Sequence, residues 1–595
     1  MKALVFLIVT AQLSVVGCFS TSKSPEHSQN AKSRSVIPKT SNTTADHLSE
    51  VYSLLSRFPE LQSEQAIKQI VFHLNSWQKD FYVSGPVENM LPETRHMVVD
   101  SSVVDELLQS ISRIKPLSES IIAVRERRFN NSDVEVLLSR YLSYTIASRI
   151  DSGEFSDSLV VSLLKNSYAS LSSSQKDSLD RAAKLFDWTV RNIAIKPEIE
   201  PGQKTFAPSP ALPFGMTIEG LGYSQSLFET IFRGSGDWLQ RTAVFLALCQ
   251  QANLPACILK VSASKHKSMR YWVAGVLIGG EIYLFDCRLG MPILNAEQNG
   301  LATLAQAITD DRVLRRMNIP GLFNYPFQKQ DIQHCSALLM LNPQAMSDRF
   351  CLLQKRLAGD LRVTLFDNPE SLHKLFSSTQ GLVSIGIWEI PLLASLYAVK
   401  LAAVARDDTR LEIHTRRNWY HLDPEGAGKN GLALGRWQHL LGKVNQPENC
   451  DEIGAKKIYL SQRLPEYEIA QLRNDVSLQL QYGIRRDLGV TPSEYDSQII
   501  KIQEIMRLGK LTATYWLGII QFESSNFESA VDWLKICIFD NHESSALSSA
   551  ARYNLARCYE NLGDVSSAVE LLRTKGDSQE HGNRIRSRLL LKQER

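Results

Sequence analysis

The sequence predicts a mainly helical α+β chain with one central strand-bearing domain and a C-terminal helical array, on three observations. Apolar residues recur at spacings of three and four from Asp46 to about Leu171, and again through most of 300–510. Between these stretches, Arg270-Tyr271-Trp272-Val273 and Glu281-Ile282-Tyr283-Leu284-Phe285-Asp286 read as short strands. Near the end one pattern occurs twice, at Leu517, Gly518, Ser525 and Ala530 and then at Leu555, Ala556, Gly563 and Ala568, so that Ala530 and Ala568 stand 38 residues apart. At 595 residues and 44% apolar composition the chain has room for several domains with sizeable cores.

The elements follow in order. Met1 to Gly17 is a short apolar run with Lys2 as its charged start, too short to span a bilayer and of the kind that directs export. It ends in Val15-Val16-Gly17-Cys18. Phe19 to Thr44 is rich in Ser, Thr, Lys and Asn and holds too little apolar surface to order itself, which suits a tether. Helical spacing begins at Val51-Tyr52-Ser53-Leu54-Leu55 and Ala66-Ile67-Lys68-Gln69-Ile70, and hydroxyl or amide caps precede the runs at Val103 and Val134. Asp180 to Ile193 is an amphipathic helix whose Ala182, Leu185, Phe186, Thr189, Val190 and Ile193 share one face. Ile195 to Gly222 carries Pro197, Pro201, Gly202, Pro208, Pro210, Pro213, Gly215 and Gly220 and must be a loop, either shaping a groove or wrapping the surface. After Asp286 the strand signals fade, and helical spacing returns with breaks near Asp423-Pro424 and Gln446-Pro447. Within it, Arg417-Asn418-Trp419-Tyr420-His421 and Arg436-Trp437-Gln438-His439 concentrate aromatic and basic side chains. They read first as helix-packing anchors with satisfied polar tips, and second as a ligand surface.

Composition narrows the function. A net charge of +3 and the lack of a basic tract argue against nucleic acid as a partner. Besides Cys18 the cysteines are Cys249, Cys257, Cys287, Cys335, Cys351, Cys450, Cys537 and Cys558; with no C-x-x-C pair and no histidine at ligand spacing, no metal and no cofactor is expected, and most read as buried apolar side chains.

Three segments together resemble the transglutaminase-like family of the papain-type fold. Gly236-Asp237-Trp238 followed by Leu254-Pro255-Ala256 resembles that family's active-site helix, opened by G-x-C and closed by a proline turn; Trp238 stands where the cysteine belongs. Arg270-Tyr271-Trp272 resembles its H-x-W strand with Arg270 in the histidine position, and Asp286 matches its aspartate. The Asp180–Ile193 helix resembles the one that precedes the family's core. A thiol at a helix N-terminus is a nucleophile and an imidazole a base, whereas an indole and a guanidinium are neither. The resemblance therefore implies a pseudo-active site with no catalytic residue, in which Trp238, Arg270, Trp272 and Asp286 are candidates for a ligand groove and Arg270 pairs with Asp286. Whether Trp238 holds a peptide or plugs the cleft stays open. Residues Leu555, Ala556, Tyr559, Gly563 and Ala568 resemble the tetratricopeptide signature, which implies closely packed helix pairs that bind segments of a protein partner. Val15-Val16-Gly17 before Cys18 resembles a bacterial lipoprotein signal, implying lipidation at Cys18, a membrane anchor and a periplasm-facing envelope location; an ordinary signal peptide is the alternative.

The boundaries drawn are 1–17 for the signal, 18–45 for the tether, 46–169 for an N-terminal helical region, 170–300 for the transglutaminase-like domain, 301–510 for a second helical region and 511–595 for the repeats. The expected function is a non-catalytic envelope scaffold that binds protein or peptide. The rival is a thiol acyl transferase or peptidase whose nucleophile has moved to Cys249 with His266 as its imidazole. The 11 residues from Trp238 to Cys249 place that thiol roughly 16 Å down the helix.

Overall fold

The structure, a computed structural model, describes residues 46–61, 63–84, 102–114, 117–118, 120–153, 157–196, 225–262, 269–357, 362–407, 431–445, 453–482, 484–486, 489–539 and 546–593. The signal run, the tether with Cys18, the proline- and glycine-rich stretch from Pro197, His266, His421 and Cys450 lie outside the described residues.

The chain is mainly helical with one small mixed sheet. Helices α1 (His47–Ser56), α2 (Ser63–Ser84), α3 (Ser102–Ser112), α4 (Asn131–Ser152) and α5 (Ser158–Ser167) form the N-terminal region. Asn130 and Asp133 close a capping box at the head of α4. Next come α6 (Ser173–Asn192), β1 (Ala194–Ile195), α7 (Leu227–Arg233), β2 (Ser235–Gly236) and α8 (Trp238–Gln251). The strands β3 (Ala256–Ser262), β4 (Met269–Ile278), β5 (Glu281–Asp286) and β6 (Met291–Pro292) run antiparallel, with Val261 opposite Arg270 and Ala274 opposite Phe285.

The sheet does not stop there. β7 (Cys335–Leu339) pairs with β3, and β8 (Leu382–Ile387) adds parallel to β7, giving the order β6-β5-β4-β3-β7-β8. The expectation that strands end after Asp286 is thereby corrected: every residue of β7 is buried, and a short, mostly apolar run reads as readily as a turn of core helix. Helix α3 lies against the outer strand, where Ser110 Oγ accepts from the Ile387 amide at 3.1 Å, so the edge is partly covered.

Helix α9 (Asp348–Arg356) carries Arg349, which is wholly buried. Its guanidinium grips Asp133 at 2.7 and 3.0 Å and donates to the Ala123 and Glu126 carbonyls at 2.8 Å each. Breaking one side of a buried pair strands the other charge, so Asp133→Asn is expected to lower stability by about 3–5 kcal/mol in chemical denaturation.

Helix α10 (Pro369–Ser377) precedes β8, and α11 (Glu389–Asp407), α12 (Gly431–Leu440) and α13 (Ala455–Ser461) follow it. The α12 anchors are buried as expected. Trp437 donates to the Ser56 carbonyl at 2.8 Å, and His439 Nε2 donates to Glu523 at 3.1 Å while its Nδ1 accepts from Arg436 at 3.3 Å. That tautomer is neutral, and burial above all pushes the imidazole down to about 4. Because the folded value lies below the ordinary 6.5, the unfolded chain takes up the proton first and stability falls as pH drops between those values. From pH 7 to 5 this side chain is expected to account for about 2 kcal/mol of the loss, and His439→Gln should remove that increment from the denaturation midpoints.

The last helices are α14 (Pro492–Glu523), α15 (Phe527–Phe539), α16 (Ala546–Asn561), α17 (Val565–Leu572) and α18 (Glu580–Gln593), each packed on its neighbour in turn. Ala530, Ala556 and Ala568 are fully buried, and a Cβ on Gly518 would stand 2.8 Å from Leu534 of the next helix, so the small residues sit where the helices approach most closely. The array is completed by the rest of the chain: α13 packs on α14, α18 closes the far end, and the face made by α14 and α16 meets α6. There Tyr515 and Asn554 both donate to the Arg191 carbonyl, and Trp188 and Asn192 donate to Glu523. One buried apolar cluster consequently runs from Val51 to Leu590.

Candidate functional site

Helix α8 begins beside the β5–β6 turn, whose Arg288 lies over the Trp238 ring. Asp237 accepts from the Gln240 amide at 2.8 Å and Gln240 Oε1 accepts from the Asp237 amide at 3.0 Å, a reciprocal cap that places Trp238 as the first helical residue. Arg241, one turn on, is buried and donates to the carbonyls of Val190, Ile193 and Cys287 and to Gln579 Oε1 at 2.6–3.1 Å, tying the helix to α6, the sheet and α18. All its acceptors are neutral, and burial lowers it to about 10.

The structure brings the four sequence-derived positions to one place but gives them unequal roles. Trp238 and Arg270 are half-buried, whereas Trp272 and Asp286 have no exposed surface. Asp286 is fully engaged: Tyr325 donates its hydroxyl to Oδ2 at 2.8 Å, and the Arg288 and Leu289 amides donate to Oδ1 at 2.9 and 3.2 Å. Trp272 Nε1 in turn donates to Tyr325 Oη at 3.0 Å. The expected pairing of Arg270 with Asp286 is absent, because Tyr325 takes the carboxylate oxygen and Arg270 instead lies over the Phe327 ring, 5.0 Å from its centroid. Arg288 stands between two rings, with its guanidinium carbon 4.8 Å from the Trp238 centroid and 5.6 Å from that of Phe327. The result is a ladder of alternating rings and cations in the order Trp238, Arg288, Phe327, Arg270.

Tyr325, Phe327 and Arg288 were not singled out in the sequence. Arg288 lies two residues beyond Asp286 and was within reach of a motif reading; Tyr325 and Phe327 come from a later segment that only the fold carries over the site. That segment is itself held by α18, where His581 bonds the Met317 carbonyl at 2.7 Å and stacks on Phe323 with centroids 4.9 Å apart.

Cys249 is fully buried, and burial first, then Cys287, pushes its thiol well above the ordinary range. Burial likewise raises Cys257 and Cys351 and lifts Cys287, Cys335 and Cys558 to about 12. None of these is held as a thiolate at neutral pH. Among the described residues no group of three or more His, Cys, Asp or Glu side chains is placed to hold a metal ion, and no helix is long and apolar enough to cross a membrane.

A concavity of about 250 Å³ lies at the C-terminal end of α8, lined chiefly by Leu254, Leu339, Leu341, Phe366 and Leu375 with Gln250 and Asp367 at its polar end. Burial raises Asp367 above the usual carboxylate range against the pull of Arg140, which grips both its oxygens at 2.8 and 2.9 Å. No protein-family model, no curated protein and no solved structure matches the chain.

Proposed function

We propose that this chain is a non-catalytic scaffold of the cell envelope, in which a transglutaminase-like domain has exchanged its catalytic triad for a groove that holds a protein or peptide. The observation that carries this reading is the ladder at the N-terminus of α8, with an indole in the thiol's place stacked on Arg288 and the aspartate committed to Tyr325 and two backbone amides. An acceptor already taken by a phenol and two amides does not orient a general base. The rival with Cys249 as nucleophile has a buried thiol raised well above neutrality at the far end of the helix.

The helical array, which we read as tetratricopeptide-like, serves in this account as a buttress. The face of α14 and α16 grips α6 of the same chain, so a partner meets the Trp238 crevice or the remaining faces of the array. Anchoring to the membrane through a lipid at Cys18 belongs to the same proposal. The test is photo-crosslinking from a Trp238→benzoylphenylalanine variant in cell-envelope extract, with the same analogue at the exposed Ile122 as reference. A saturable adduct from position 238 alone is expected; equal adducts from both positions would overturn the reading.

A further inference from the structure

Among the described residues Arg288 has two buried nitrogens without a hydrogen-bond partner, where Arg140, Arg149, Arg191 and Arg588 have one each. Its Nε and Nη2 atoms are buried and bond no other group, although Trp238 and Phe327 fix the plane of the guanidinium from either side. Arg270, on the same Phe327 ring, also forms no ion pair with a carboxylate among the described residues. The nearest acid along the chain, Asp286, is consumed by Tyr325 and the turn amides. A buried guanidinium nitrogen without an acceptor is unfavourable, so the arrangement is complete only when an acceptor enters.

The surroundings specify which acceptor. The head of the 14-residue helix α8 lies beside Trp238, its Gln240 amide already taken by the Asp237 carboxylate, so the cations of the ladder are the part left open. Arg588 donates to the Asn318 and Arg316 carbonyls at 3.2 and 2.6 Å, and burial, Arg288 and Arg588 lower His581 against the pull of the Met317 carbonyl and Asp286. The groove therefore favours a single anion, and the planar fork of an arginine matches a carboxylate in two parallel hydrogen bonds. The flanking rings supply apolar walls for the atoms that carry it.

We infer that the Trp238–Arg288–Phe327–Arg270 groove is a carboxylate-binding site that captures a peptide through its C-terminal carboxylate or an acidic side chain. This rests on the peptide-holding reading of the groove and adds the chemistry of recognition. Arg288 is the bidentate partner, Arg270 the second cation, and Trp238 the wall on which the neighbouring peptide side chain packs.

The experiment uses the full exported chain and three pools of random octapeptides free of Asp and Glu, each labelled with an uncharged dye. One pool has a free C-terminus, one is amidated, and one is amidated with a single internal Asp. Fluorescence anisotropy is expected to show both carboxylate pools binding about tenfold or more tighter than the amidated pool, as one charge-assisted pair implies. Arg288→Lys, which keeps the charge but loses the fork, should remove most of that preference, and Arg270→Gln, at a half-buried position, part of it. Thermal melts of each variant check that it folds; should Arg288→Lys unfold, Arg270→Gln decides alone. Equal binding of all pools would overturn the carboxylate inference and leave the groove reading standing, whereas no binding of any pool would sink both. Displacement by millimolar inorganic phosphate as readily as by acetate would mark a general anion site and overturn the carboxylate assignment.

Discussion

Replacing Arg557 by methionine is expected to lower stability by about 3–5 kcal/mol, a loss as large as that at Asp133. Arg557 is wholly buried on α16 and stands 2.7 Å from Asp187 on α6, 3.2 Å from Asp157 at the head of α5 and 3.1 Å from Glu560 one turn on. Arg586 on α18 holds Asp157 at 2.8 Å and Glu560 at 2.7 Å, and Arg191 holds Asp187 at 2.8 Å. Three acids face three arginines in the protein interior. Removing one cation leaves the acids buried in excess, which costs far more than the pairing itself contributes. Burial alone would raise Asp157 and Asp187, but the arginines outweigh it and hold both below the usual range. Their contribution is therefore present above the ordinary carboxylate value of 3.8 and is lost in stronger acid. Arg315→Met, at a side chain 70% exposed and paired only with Asp311, is the contrast, with an expected change of less than about 1 kcal/mol. Urea denaturation of the two variants beside the parent checks both.

Gly582→Ala should have a comparable effect by a different route. A Cβ at this position would come within 1.7 Å of the Leu289 carbonyl oxygen, backbone against backbone, so no side-chain rotation relieves it. Overpacking in a core costs about 1–3 kcal/mol where side chains can yield; here α18 must move off the β5–β6 turn. That displacement would take with it the Gln579–Arg241 bond, the His581 contact to Met317 and the Arg586 network. Hydrogen exchange should show α18 losing protection while β3 and β4 keep theirs. Gly489→Ala, where a Cβ meets open space, should leave exchange unchanged.

How far the sequence reached differs element by element. The face of α6 was legible, since Ala182, Leu185, Phe186, Thr189, Val190 and Ile193 are all buried, and a helical repeat of 3.6 residues leaves few other arrangements. Helix α8 was legible because Asp237 and Pro255 bracket it chemically. β7 and β8 were not, because Cys335-Ser336-Ala337-Leu338-Leu339 is too short for any period to show. The buried arginines Arg349, Arg557 and Arg586 were also invisible, for arginine in a sequence reads as surface until its acceptors are known. At the site, Trp238, Arg270 and Asp286 came from the resemblance to the transglutaminase-like family. The expected Arg270–Asp286 pair did not form because Tyr325, supplied by a segment 39 residues beyond Asp286, reaches the carboxylate first. No local signal marks a competitor that arrives through tertiary packing.

The central claim is that the head of α8 no longer supports thiol chemistry. It is tested most directly by alkylating the folded protein with iodoacetamide at mildly acidic pH and reading each cysteine by mass spectrometry, since only a stabilised thiolate reacts quickly there. The account predicts uniformly slow labelling of Cys249, Cys257, Cys287, Cys335, Cys351 and Cys558, each raised by burial. One cysteine reacting far faster than the rest would contradict it and name the nucleophile of an enzyme.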